Sequence, residues 1–347
     1  MNEKKLTTIY DIAENVGLTS TTVSRVLNNK GYISDKTRKK VLKAAKELNY
    51  KPNRVARSLK TGKTKQIILA MPFINEMFNF DFIATIQQEV QRKGYSLLLR
   101  YTDAKSYEEK QTIESLDMNY ADALILLVIN ITDEILMALS ESRKPCVLVL
   151  FNPYEDKDLP VDFVSMDSRK GIYMAANHLI NQGHIDLGYI GPSFDTTEGR
   201  ERYSGFCSAM LENSLPIDPD LVFDGTYTEV FGYQCGVEML KSGKKVTAIC
   251  AASDSIALGL YRAFEQFEVR IPQDICIVGM DNTDVCTICK PKLSSVAMLQ
   301  EEIARCSIEI IFKHLDGGDN MPDENYKHIT YEPRLVIRDS SVVYNSR

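Results

Sequence analysis

Apolar positions along the chain follow two different periods, and the change falls near residue 65. Ile9, Ile12, Ala13 and Val16 recur at helical spacing. Thr8 and Asp11 stand at the head of that run three residues apart, the spacing of a reciprocal N-cap, and Gly17 marks its end. Thr19 offers a second N-cap after this glycine-containing turn. In the helix it opens, Ser20, Thr21, Ser24 and Arg25 share one arc of about 140°, while Val23, Val26 and Leu27 lie opposite. Ser34 caps a third helix, with Val41, Leu42, Ala45 and Leu48 as its expected apolar stripe. Beyond residue 65 the apolar runs become continuous: 67–71, 96–101, 123–128, 146–150, 187–190, 246–251 and 275–280 read as buried strands. Amphipathic stretches such as 82–92 and 173–181 lie between them. This alternation predicts parallel sheets with helices on both faces, a fold that binds ligands at the carboxyl ends of its strands.

Charge divides at the same place. Up to Lys65 there are 16 Lys and Arg against 5 Asp and Glu, a balance of +11, and the remainder carries −17. A small basic head on a large acidic body suits a polyanion-binding head whose body is repelled by the same polyanion. The first three helices then read as a helix-turn-helix unit, whose second helix presents short hydroxyls and one arginine to a major groove. The 347 residues are 44% hydrophobic and 25% charged, which excludes collagen-like, disordered and disulfide-scaffold classes. No apolar run reaches the roughly 20 residues of a membrane helix, and the N-terminus is polar, so a cytoplasmic location is expected, with the eight cysteines as reduced thiols.

The motifs of the head are specific. Thr8-Ile9-Tyr10-Asp11-Ile12-Ala13, Thr22-Val23-Ser24-Arg25-Val26-Leu27-Asn28, Leu48-Asn49-Tyr50-Lys51-Pro52-Asn53 and Ala56-Arg57-Ser58-Leu59 closely resemble the DNA-binding head of the lactose/galactose repressor (LacI/GalR) family. The resemblance implies a DNA-binding head at 1–52 and a hinge helix at 53–61. It implies DNA contacts from Thr8, Tyr10, Ser20, Thr21, Thr22, Ser24, Arg25, Asn28, Asn53, Ala56, Arg57 and Leu59. Leu59 would be the apolar wedge that kinks the operator from its minor groove.

The body continues the likeness through Asn177-His178-Leu179-Ile180-Asn181-Gln182-Gly183-His184, Arg202-Tyr203-Ser204-Gly205-Phe206, Ala252-Ser253-Asp254-Ser255 and Gly279-Met280-Asp281-Asn282. It implies a core over 62–340 built like a periplasmic sugar-binding protein, with two doubly wound subdomains and an effector between them. The first would hold 62 to about 161 and about 293–323, the second about 162–292 and 324–340. Arg202 and Asp281 occupy effector-binding positions of the family, with Phe78, Asp167, Tyr227 and Asp254 as further cleft residues. Guanidinium and carboxylate groups suit a polyhydroxylated or heterocyclic ligand, although both residues also fit a structural ion pair. Two departures weaken a purine effector: Thr196 stands where purine-responsive members carry an arginine, and Met280 replaces an aromatic residue. The expected partners are operator DNA, a carbohydrate-like effector and a second copy of the chain.

Enzyme signatures fail on inspection. Gly62-Lys63-Thr64 ends like a phosphate-binding loop, but Arg57 stands where its first glycine is needed. No glycine fingerprint opens a helix after a strand, so no dinucleotide cofactor is expected. The four histidines lack metal-ligand spacing, and Cys286 and Cys289 alone would leave zinc two ligands short. An α/β enzyme with an accessory nucleic-acid head remains the alternative, and it requires a nucleophile and base at a strand end.

Overall fold

The computed structural model describes residues 7–29, 31–51, 58, 61–72, 78–153, 159, 161–317 and 326–342. They fall into two units, Met1–Thr64 and Lys65–Arg347.

The first unit contains α1 (Ile9–Val16), α2 (Ser20–Leu27) and α3 (Asp35–Glu47). All three caps form as the sequence predicts. Thr8 and Asp11 make the reciprocal box, Thr19 accepts from the Thr22 amide and Ser34 from the Thr37 amide. Gly17 ends α1 in the left-handed region at φ 63°, where a side chain would be strained. Ile12, Val16, Val23, Val26, Val41 and Ala44 form the small core. Leu42 does not join the stripe expected of it and is 49% exposed, because its neighbour Val41 already fills the inward position and Ala44 the next. Lys40 Nζ donates to the Val16 carbonyl at 2.7 Å, tying α3 to the end of α1.

The second unit is built on two six-stranded sheets, ordered β2-β1-β3-β4-β5-β11 and β7-β6-β8-β9-β10-β12. The first comprises β1 (Gln66–Met71), β2 (Ser96–Tyr101), β3 (Ala123–Leu127), β4 (Cys146–Leu150), β5 (Asp162–Met166) and β11 (His328–Tyr331). The second comprises β6 (Leu187–Pro192), β7 (Val222–Gly225), β8 (Ala248–Ala251), β9 (Cys276–Asp281), β10 (Ser294–Ala297) and β12 (Arg334–Val336). Helices α4 (Phe78–Arg92), α5 (Ser106–Asp117), α6 (Asp133–Glu141), α7 (Ser168–Asn181), α8 (Thr197–Glu212), α9 (Glu229–Lys241), α10 (Asp254–Gln266), α11 (Val285–Ile288) and α12 (Gln300–Asp316) connect them. The run at 96–101 departs from the expectation of a buried strand, because β2 is a sheet edge with Leu98, Leu99 and Tyr101 exposed; the other continuous apolar runs are explained by two-sided burial. In β1, Ile67, Leu69 and Met71 enter one hydrophobic cluster while Ile68 and Ala70 enter another on the opposite face. β8 divides the same way, with Ala248 and Cys250 on one side and Ile249 and Ala251 on the other.

The chain crosses between sheets at other places than expected. β5, at 162–166, pairs with β4 and belongs to the first sheet; β10, at 294–297, pairs with β9 in the second; β11 pairs with β5. The three crossings therefore fall after Met166, between Ala297 and Gln300, and between Tyr331 and Arg334, rather than near 161, 293 and 323. Backbone pairing decides this, since each strand joins the sheet edge whose hydrogen bonds remain open. β12 also departs from the all-parallel expectation and runs antiparallel to β10. Five strands, β5, β7, β10, β11 and β12, carry no apolar run long enough to mark them in advance.

Candidate functional site

In the head, Thr21, Arg25 and Asn28 are exposed on one side of α2, with Ser20, Thr22 and Ser24 half-buried beside them. Tyr10, on α1, is 75% exposed. Part of this set serves the helices themselves. The Thr8 hydroxyl donates to Asp11 Oδ2 at 2.8 Å, the Thr22 and Thr19 hydroxyls lie 2.9 Å apart, and Asn28 Nδ2 donates to the Ser24 carbonyl at 2.8 Å. Arg25 and Thr21 thus remain as the long and the short polar group at the surface of α2. Asn53, Ala56, Arg57 and Leu59 lie outside the described residues.

In the second unit, a cleft opens at the carboxyl ends of the strands of both sheets. Its apolar lining comes largely from the first sheet: Pro72 follows β1, Leu127 and Ile129 end β3, and Phe151 follows β4. Its polar lining comes mainly from the second, with Glu198 and Arg202 on α8, Ser253 and Ser255 at the head of α10, and Asp281 at the end of β9. Asn79, on α4, adds a polar group from the first side. A doubly wound sheet presents its ligand site at this end because the loops there join strand to helix. Hydrogen bonds also span the cleft: Asn152 Nδ2 donates to Glu198 Oε2 at 2.8 Å, and the Thr197 amide to Asn130 Oδ1 at 3.2 Å.

Arg202 is the centre of the polar half. It is 3% exposed; its Nε donates to Glu198 Oε1 and its Nη1 to the Ala252 carbonyl, and its guanidinium carbon lies 5.2 Å from the Tyr227 ring centroid. Burial opposes its charge, but Tyr227, Glu198 and Asp281 outweigh that cost and hold the group more strongly protonated than an ordinary arginine. Asp281 is buried at φ 113° and Asn282 follows at 56°, two consecutive non-glycine residues at positive φ. Such strain persists only where surroundings enforce it. Here Gln300 Nε2 donates to the Asp281 carbonyl at 2.8 Å, and the Asn282 amide donates to Ser295 Oγ at 3.0 Å.

Of the six cleft residues expected from the sequence, Arg202, Tyr227 and Asp281 line the cavity. Asp254 is fully buried one layer beneath, where it accepts from the Thr283 amide at 2.7 Å, Ser295 Oγ at 2.6 Å and Cys286 Sγ at 3.1 Å. Burial raises its carboxyl above the usual carboxylate range despite those bonds, and it shapes the β9 loop rather than the cavity surface. Asp167 caps α7, accepting from the Lys170 amide at 2.8 Å, and borders a separate groove with Arg169, Tyr173 and Glu212. Phe78 opens α4, with its side chain outside the described part. The Thr196 hydroxyl caps α8 and Met280 lies in the core. Glu198 was the main omission, although its i, i+4 spacing to Arg202 on a helix was a readable signal of an ion pair. Asn79, Asn152, Ser253 and Phe151 had no such signal. Cys286 and Cys289 are free, like the other six cysteines, and burial pushes both thiols up.

A basic helix-turn-helix unit in one chain with a two-sheet body whose strand ends meet around a polar cleft defines a DNA-binding regulator that answers to a small molecule. Comparison narrows the class. Residues 8–53 match the family model of bacterial regulatory proteins, lacI family, and residues 176–341 that of a periplasmic binding protein-like domain. Over 336 residues the chain is 32% identical to the HTH-type transcriptional repressor PurR of Pasteurella multocida (strain Pm70), covering 96% of this chain and 98% of the relative. The lac repressor dimer bound to operator and the anti-inducer ONPF shares the fold, with a TM-score of 0.82 at 24% identity over 98% of this chain and 100% of that one. A complex of the transcriptional regulator CelR with cellobiose matches at TM-score 0.69 and 26% identity, over 96% and 99% of the two chains. The protein belongs to the LacI family: it is a DNA-binding transcriptional regulator with an effector-binding core. Among the described residues, no helix is long and apolar enough to cross a membrane.

Proposed function

We propose that the protein is a cytoplasmic, non-enzymatic repressor that binds a pseudo-palindromic operator as a homodimer and releases or tightens it when a carbohydrate-like effector fills the cleft. The observation that carries this reading is the cleft itself, in which Arg202 and Asp281 on one side face an apolar floor on the other. Sugars present that pairing of polar edge and apolar face. The cellobiose complex of CelR supports the same ligand class. Thr196, turned to its cap, and Met280, in the core, count against a purine. Binding rather than turnover is favoured because the groups are committed to one another: Arg202 to Glu198, and Ser253 Oγ to the Ile256 amide as a helix cap. One helix-turn-helix covers only a half-site, so two heads related by a two-fold axis would read the operator. In this reading Ser20, Thr21 and Arg25 face base edges and Leu59 wedges the minor groove.

Linkage tests the proposal. An effector that alters operator affinity must have its own affinity altered by the same factor, typically by about 5- to 150-fold. Titration of the effector with and without operator is expected to give two affinities, and Asp281→Ala to abolish the difference. Equal affinities in the wild type would refute the allosteric reading.

A further inference from the structure

We infer that Asn152 is a latch between the two halves of the body, holding them together across the cleft through groups that do not touch the effector. The latch depends on the allosteric reading above only for its effect at the operator. The halves, one built on each sheet, are joined covalently where the chain crosses after Met166, between Ala297 and Gln300, and between Tyr331 and Arg334. Short connections of that kind let two halves hinge about them. Closure is then decided by the side chains that meet across the cleft. Asn152 follows β4 of the first sheet, and its Nδ2 donates at 2.8 Å to Glu198 Oε2, on α8 of the second half. Asn130, which follows β3, accepts from the Thr197 amide of the same helix at 3.2 Å.

Chemistry on both sides fixes the orientation of the Asn152 amide. The hydroxyl of Ser168, a fully buried residue, donates to Asn152 Oδ1 at 2.8 Å, and a carboxylate only accepts, so Nδ2 is the atom that faces Glu198. The Ser168 amide also donates to the Phe151 carbonyl at 3.0 Å, which ties the Asn152 loop to the first crossing. The bond to Glu198 is charge-assisted and its acceptor is buried, so it is stronger than a neutral surface pair. Thr197 lies in the first turn of α8, where the helix offers its amide no carbonyl, and Asn130 from the other half accepts in its place. Both bonds thus end on the first turn of α8, and Arg202 stands four residues beyond Glu198 on the same helix. None of Asn130, Asn152, Ser168 and Thr197 lines the cavity. A change in the latch therefore alters the fraction of chains that are closed and leaves the contacts of a ligand as they were. Loss of one hydrogen bond to a charged acceptor shifts such a population by about tenfold or more.

The test is hydrogen exchange of the full chain with no added ligand, read on the peptide that opens α8, alongside affinity for an operator fragment selected by the wild type. Asn152→Ala removes the donor. Asn152→Asp keeps the shape and sets a second carboxylate against Glu198. Asn152→Asp combined with Glu198→Gln restores a donor and an acceptor with their roles exchanged. The Thr197 amide bonds Asn130 and not Asn152, so its exchange responds to Asn152 only when the halves part. Exchange there is expected to rise about tenfold in Asn152→Ala, to rise further in Asn152→Asp, and to return toward the wild type in the combined variant. Asn152→Gln, which keeps an amide but overruns the gap between Ser168 and Glu198, replaces a single variant that fails to fold, with the same rise expected. Unchanged exchange in the single variants overturns the inference, and so does a combined variant that exchanges as fast as Asn152→Asp. Operator affinity is expected to move in the same order, by about fivefold or more. Exchange that rises while operator affinity stays fixed keeps the latch and ends the allosteric reading. Operator affinity that moves with no change in exchange does the reverse.

Discussion

Arg25 and Glu109 show how differently two charged residues serve the same chain. Arg25 stands exposed on α2, its length suited to a bidentate contact with a guanine edge. Arg25→Ala is expected to lose about 1–3 kcal/mol of discrimination at one symmetric operator position. Selection of binding sites from a random pool should then return a motif degenerate at that position, and an unchanged motif would reassign the residue to the phosphate backbone. Glu109, in the first turn of α5, is only 2% exposed, and burial raises its carboxyl to about 7. Its folded-state value lies above that of the unfolded chain, so the fold prefers the protonated form. The stability this gives is complete below about pH 4.3 and is lost as pH rises through about 7. Urea unfolding at about pH 5 and about pH 8 should show that loss, on the order of 3 kcal/mol, and Glu109→Gln should flatten it.

Among the elements, α9 and α10 depend on two glycines that no periodicity explains. A Cβ on Gly259 would sit 2.1 Å from the Glu229 carbonyl oxygen, and one on Gly232 would sit 2.2 Å from that of Ile256. The two helices therefore touch backbone to backbone, and neither position has room for a methyl group. Gly259→Ala is expected to cost about 1–3 kcal/mol by forcing the pair apart, read as a lower urea midpoint with operator contacts unchanged. The three head helices were legible at this scale because their signals are local: a hydroxyl cap, a left-handed glycine and a few apolar positions. The central strands were legible because burial on both faces demands long apolar runs. β7, β10 and β12 were not, since three or four residues at or near a sheet edge can be polar and still pair.

For the whole molecule, a chain that reads a two-fold operator with one head per copy is expected as a dimer. Light scattering at micromolar concentration should give the mass of two chains, and operator affinity should fall steeply with salt because the +11 head displaces counterions. The sequence by itself determined the division into a basic head and an α/β body, the caps and faces of the head helices, the core strands, and Arg202 and Asp281 as a paired candidate. All but the last are written in residues near one another or in a pattern repeated along the chain; Arg202 and Asp281, far apart in sequence, were legible only through the family motifs in which they stand. Only the tertiary structure decided where the chain crosses between sheets, that Asp254 lies beneath the cleft and Asp167 outside it, and that Asn152 reaches from the other sheet to hold the Glu198 carboxylate that pairs with Arg202. Those outcomes depend on which backbone edge remains unpaired and on which side chains converge from strands more than a hundred residues apart. Spacing along the chain carries no record of such convergence, because it is set by packing and hydrogen-bond closure in three dimensions.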